Sequence, residues 1–144
     1  MKIQSNGALA TDRFGNKNSS LFLNDGYATV PPGVYFNPDT NGFTVMVWMK
    51  IKEFKNWSSL IDFGLGKAQD NIYVGLDNGE HKMRLSVRDS GSITCQLDST
   101  KLIIKNQWFH LATTVNGKDV KMYIDGVLTS SEDVPGKKFY SCLF

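Results

Sequence analysis

Apolar and polar residues alternate with period two along almost every ordered-looking segment of this chain, and no segment keeps a helical period over three turns. In residues 82–89, KMRLSVRD, Met83, Leu85 and Val87 share one face while Lys82, Arg84, Ser86 and Arg88 share the other. That pattern describes a half-buried antiparallel strand. Arg84 is expected on its solvent face, where replacement by alanine should change little. Residues 119–126, DVKMYIDG, repeat the pattern with Val120, Met122 and Ile124 inward. Residues 43–51, FTVMVWMKI, differ. Phe43, Val45, Val47, Met49 and Ile51 line one face, but Met46 and Trp48 make the other apolar too. Such a strand is expected at the centre of a sheet, or with its second face under a loop. Further strands are expected in SSLFLN, YATV, SSLIDFG, NIYVGL, SITCQL and QWFHLATTV.

The residues between these segments are those that reverse a chain. Asn116-Gly117 and Asp125-Gly126 can adopt the positive φ angles of tight hairpin turns. Asp77-Asn78-Gly79 and Asp89-Ser90-Gly91 mark two more reversals, and Pro31, Pro32 and Pro38 confine residues 30–43 to a loop. No shift of composition divides the chain and no repeat is visible. The expectation is a single all-β domain over residues 1–144, an antiparallel β-sandwich poor in helix.

Length adds that 144 residues can bury a core without disulfide staples. A net charge of +2 is too small and dispersed to argue for nucleic acid or an anionic membrane. No apolar run approaches the roughly 20 residues of a membrane span, so none is expected. MKIQSNG has neither the basic nor the apolar region of a signal peptide, so the chain is either not secreted or a mature fragment given a start codon. Triplets of the form N-x-S/T at Asn18 and Asn56 are compatible with secretion. Cys95 alternates in phase with Ile93 and Leu97, which suggests a buried free thiol. Pairing with Cys142 would need an oxidising compartment, and neither cysteine has neighbours at zinc-finger spacing.

Three segments resemble a known family. FTVMVWMKI resembles the early strand of laminin-G-like, concanavalin A-like jelly rolls. NQWFHLATTVNG followed by DVKMYIDGVL resembles their hairpin, with Trp108, His110, Ala112, Asn116 and Gly117 in its first strand and Tyr123, Asp125 and Gly126 in its second. NSSLFLNDGYATVP resembles their opening strand pair. The similarity runs in order from about Asp12 to Leu128, and the nearest flavour is that of the pentraxins. It implies a jelly-roll β-sandwich and a non-catalytic extracellular module that binds a glycan or a protein ligand. A purely structural or interaction domain is the alternative. The signature residues themselves are structural: Trp108, Phe109 and Leu111 pack, His110 points the other way, and Asp125-Gly126 turns.

The same jelly roll also carries glycoside hydrolases, which need two carboxylates about 5–10 Å apart around the scissile bond. On a strand that requires acids at alternate positions. Glu53, Glu80 and Glu132 stand apart in loop-like segments, so no catalytic residue is assigned.

Asp70-Asn71 is the candidate metal site. A calcium ion takes six to eight oxygens, and adjacent Asp and Asn side chains can supply part of that shell. Lys67, Gln69, Asp70 and Asn71 match the pentraxin segment Lys-x-Gln-Asp-Asn, which implies calcium as cofactor. The bland alternative is a polar loop whose side chains bond their own backbone. The pentraxin shell takes other oxygens from a later loop that does not fit before Phe144, and Met46 and Ala112 replace the pentraxin disulfide. Tyr27, Tyr35, Phe36, Trp57 and Tyr73 are aromatics in loops or at outward positions, and Tyr73, Trp57 and Tyr35 are the candidate ligand contacts. Residues 137–144, KKFYSCLF, begin at most one of the strands that usually follow the hairpin in this family. The resemblance therefore implies a C-terminally short fold that borrows a partner segment or self-associates at an open edge.

Overall fold

The computed structural model describes residues 2–30, 42–64, 71–89 and 92–134. They form twelve strands and, among the described residues, no helix. Asp70, Tyr35, Cys142 and residues 137–144 lie outside the described residues. The chain divides into two units, residues 1–35 and 36–144.

The first unit holds β1 (Lys2–Gln4), β2 (Gly7–Ala10), β3 (Ser20–Leu23) and β4 (Tyr27–Thr29). The two strands of the expected opening pair form, but not with each other. β3 pairs antiparallel with β2, and β4 with β1. The link from β2 to β3 is shaped by Asp12, whose carboxylate accepts from the backbone N–H of Phe14 at 2.8 Å and of Asn16 at 2.9 Å. These bonds, with the Asn16 side-chain amide first, hold the Asp12 carboxyl below its ordinary pKa.

The second unit is a sandwich of two four-stranded antiparallel sheets. One runs in the order β12 (Val127–Asp133), β11 (Asp119–Ile124), β10 (Trp108–Asn116), β5 (Gly42–Lys50). The other runs β6 (Ser59–Gly64), β7 (Asn71–Leu76), β8 (Met83–Asp89), β9 (Ser92–Asp98). Alternation decides which side chains meet between them. Ile72, Val74, Leu85 and Val87 from one sheet and Phe109, Leu111, Val120, Met122 and Ile124 from the other form one buried cluster. Each such side chain contributes about 1.5–3 kcal/mol by leaving water.

Two hairpins of the first sheet close on two-residue turns. Asn116 pairs with Asp119, and Gly117 between them has a φ of 58°. Ile124 pairs with Val127 across Asp125 and Gly126, whose φ angles are 54° and 78°. Asp125 does more than turn. Its carboxylate accepts the His110 N–H at 2.9 Å and pairs with Lys101 at 2.7 Å, and these contacts, Lys101 first, lower its pKa.

Where β9 and β12 meet, side chains join the two sheets. Ser130 Oγ donates to Asp98 O at 2.5 Å, and Thr100 Oγ1 to Thr129 O at 2.7 Å. Cys95 is buried beside them as a free thiol, its Sγ 3.5 Å from Glu132 Oε2. Burial, and secondarily the nearby carboxylate, push that thiol up to a pKa of about 12. Thr113 is fully buried on the inward face of β10, and its hydroxyl has no partner among the described residues. β5 stands at one end of its sheet's order among the described strands, and its outward Met46 and Trp48 are 67% and 44% exposed. Neither the central position nor the covered second face expected for this strand is seen among the described residues.

Candidate functional site

The outward face of the β6–β9 sheet brings most of the candidate residues together. Along β7 the core takes Ile72, Val74 and Leu76, so Asn71, Tyr73 and Gly75 point away from it. Register then fixes their neighbours. Tyr73 stands opposite Asp62 of β6 and Ser86 of β8. Asn71 lies one step along β7 and donates from Nδ2 to Asp62 Oδ1 at 3.1 Å.

Asn71 is only 8% exposed, and its Oδ1 has no hydrogen-bond partner among the described residues. Ser86, on the same face and 6% exposed, has an Oγ unpartnered among the described residues. A buried polar atom without a partner costs roughly 1–3 kcal/mol and calls for an explanation. Here two such atoms lie on one face, flanking Tyr73. The Asn71 amide is also oriented: its bond to Asp62 turns its nitrogen toward that carboxylate and leaves its oxygen free to accept.

Trp57 rims this face. It occupies the turn closed by the Ser58 N–H donating to Lys55 O at 3.2 Å, and its φ of 61° is a left-handed conformation that costs a bulky residue energy. Trp57 is 51% exposed. It meets Tyr73 edge-on with centroids 6.3 Å apart, and the Arg84 guanidinium lies 5.3 Å from its centroid. Arg84 is itself held by a bidentate pair with Asp98, Nε and Nη2 each 2.6 Å from a carboxylate oxygen. The expectation of a dispensable solvent-facing Arg84 is thus corrected. Its side chain is only 13% exposed, because alternation sets the face and not what covers it.

Tyr73 serves the scaffold as well as the surface. Its hydroxyl is 2.6 Å from Leu76 O and 3.3 Å from Ser58 O, so it ties the Trp57 turn to β7. Burial pushes its pKa up to about 12. Gly75 makes room for this: a Cβ there would lie 2.4 Å from Ser58 O and 2.5 Å from the Tyr73 hydroxyl.

The donors present suit a hard cation. Asn71 Oδ1 and the Asp62 carboxylate are oxygen ligands of the type calcium takes. Among the described residues no group of three or more His, Cys, Asp or Glu gathers to hold a metal ion. Asp62 was not legible from the sequence. It sits nine residues before Asn71, and only the β6–β7 register makes them neighbours. Tyr27, in the first unit, is exposed.

Two four-stranded antiparallel sheets packed face to face define an all-β protein of the sandwich class. Residues 22–141 match the laminin G-type model of the concanavalin A-like lectin/glucanases superfamily, and the chain belongs to that family. No curated protein matches the chain. Among the described residues no helix is long and apolar enough to cross a membrane.

Proposed function

We propose that this protein is a non-catalytic extracellular binding module that recognises a glycan on the outward face of β6 and β7, with calcium as a helper. The observation that carries the reading is Asn71 Oδ1, a buried acceptor held in place by Asp62 and left without a donor. A sugar hydroxyl or a hard cation supplies what it lacks. Trp57 offers an exposed ring on which the C–H face of a sugar can stack. Its left-handed backbone, φ 61°, places that ring beside Tyr73. Asn71, Asp62 and the sequence neighbour Asp70 are the residues that would hold calcium, which would supply a positive charge attractive to ligand oxygens. Domains of this family are typically extracellular, where calcium is abundant.

A glycan array read with calcium and with chelator tests the proposal. Binding is expected with calcium, reduced at least tenfold by Trp57→Ala and by Asn71→Ala. Signal that survives chelator would remove calcium and keep the glycan. No signal under either condition would favour a structural or interaction domain, and turnover of any polysaccharide would refute the non-catalytic assignment.

A further inference from the structure

One end of the sandwich projects two aliphatic side chains into solvent from a segment that is firmly held. Residues 99–107 join β9 to β10, and three backbone bonds fix them. The Ser99 N–H donates to Met83 O, that of Ile103 to His81 O and that of Asn106 to Ile51 O, each at 2.8 Å. Ile103 joins the core and is 6% exposed. Leu102 and Ile104 on either side of it stay in solvent, 57% and 63% exposed. Single exposed aliphatics are ordinary on a protein surface. Two of them, held around a buried anchor, form a preset pair of apolar tips.

The charges around the tips select a partner. Because Trp108 pairs with Lys50 and Arg84 with Asp98, strand register gathers residues 51–58, 77–82 and 99–107 at one end. The Lys101–Asp125 pair brings the β11–β12 turn to the same place. This end carries Lys50, Lys52, Lys55, Lys82, Lys101 and Lys105 against Glu53, Asp77, Glu80 and Asp125. Its excess of two positive charges equals the net charge of the whole chain. Spread over the chain, such a charge argues for no partner; gathered beside two apolar tips, it suits an anionic surface. Lys101 and Lys105 flank the tips and pair with Asp125 and Glu53 at 2.7 and 3.3 Å. Exposed pairs of this kind are weak, so lipid phosphates can take over the ammonium groups. A protein partner would need pockets shaped to two separate tips, whereas a fluid bilayer closes around any shape. We infer that this end of the sandwich docks on an anionic lipid bilayer, with Leu102 and Ile104 entering the boundary between headgroups and acyl chains.

Co-sedimentation of the whole chain with vesicles, run in chelator so that no metal bridges the two, tests this. One set of vesicles is phosphatidylcholine alone, and the other carries about 30% phosphatidylserine. Binding is expected to the anionic set, and should fall at least tenfold on phosphatidylcholine alone or in high salt. Leu102→Ser with Ile104→Ser should weaken it at least tenfold and leave the urea midpoint unchanged, since both positions are exposed. Leu102→Trp should strengthen it, and the added emission should move to shorter wavelength on vesicles. Lys105→Glu should weaken it about tenfold. Lys118→Glu makes the same change of net charge at the opposite end, in the β10–β11 hairpin, and should leave binding unchanged. No binding to anionic vesicles, equal binding to both sets, or binding indifferent to loss of the two aliphatics would each overturn the inference. Equal effects of Lys105→Glu and Lys118→Glu would overturn it too. A dimer in light scattering that Leu102→Ser and Ile104→Ser dissolve, with no vesicle binding, would give the tips to a second copy and refute the lipid. The glycan reading stands or falls separately, because this assay contains neither sugar nor free metal.

Discussion

Among the described residues three buried polar atoms lack partners, and they lie on different faces of the sheets. Asn71 Oδ1 and Ser86 Oγ face outward beside Tyr73, whereas Thr113 Oγ1 lies between the sheets. All three atoms are buried; the first two belong to the face that carries Trp57 and Tyr73, the third to the core. Thr113→Val removes the stranded hydroxyl and nearly keeps the shape, so it should raise stability by about 1 kcal/mol, read as a higher urea midpoint. An unchanged or lower midpoint would mean that the hydroxyl finds a partner in solution. The alternation around Thr113 shows that it faces inward, but not whether its hydroxyl is satisfied, because that depends on the opposite sheet. Ionisation gives a second test at this scale. Folding raises the Cys95 thiol from 9.0 and the Tyr73 phenol from 10.0, each to about 12. The folded state therefore holds both protons more tightly. The stability this contributes is complete below the unfolded pKa values and is lost as pH rises toward about 12. Cys95→Ala should shallow that alkaline loss, measured as the urea midpoint from about pH 8 to pH 11. An identical slope in the variant would show that the thiol is not the group responsible.

Elements were legible in proportion to how strongly one face is buried. Every strand expected from alternation is present, and the Asp125-Gly126 turn announced the hairpin. β12 was not read as a strand, because in VLTSSED no position alternates toward a core. Its burial pattern is mostly exposed and its register slips at Met122/Tyr123. β1 and β2 are three and four residues long, too short to show a period. The turn itself can be taken apart. Asp125 tolerates a positive φ, and its carboxylate separately accepts the His110 N–H and pairs with Lys101 at the surface. Asp125→Gly keeps the backbone conformation and loses the carboxylate's contacts, of which the exposed Lys101 pair adds little, so it should cost about 1 kcal/mol. Asp125→Ala loses both and should cost about 2–3 kcal/mol, since alanine also resists the left-handed backbone. Equal losses in the two variants, measured by denaturant titration, would show that backbone conformation contributes nothing here.

At the scale of the whole molecule, the sandwich depends on side chains meeting between two sheets far apart in sequence, while the candidate site depends on the face that this packing leaves outside. The inward set was legible, since Leu85, Leu111 and Met122 fall in phase on their strands. The outward neighbourhoods were not: Asp62 beside Asn71, and Asp98 with Trp57 around Arg84, are set by strand order and register rather than by any local pattern. One pair of substitutions tests both halves. Leu111 is fully buried in the cluster, so Leu111→Ala should cost about 2–5 kcal/mol through lost burial and the cavity left behind. Arg84→Ala breaks a bidentate, charge-assisted pair with Asp98 and uncovers one side of Trp57. Because the pair is partly solvated, its loss should cost less, about 1–2 kcal/mol. It should also weaken any ligand that stacks on Trp57, whereas Leu111→Ala at a temperature where it stays folded should not. The comparison needs both a urea midpoint and a glycan titration for each variant. An Arg84→Ala protein with wild-type stability and wild-type binding would show that the guanidinium is free in solution, and that the face carrying Trp57 is not organised as described.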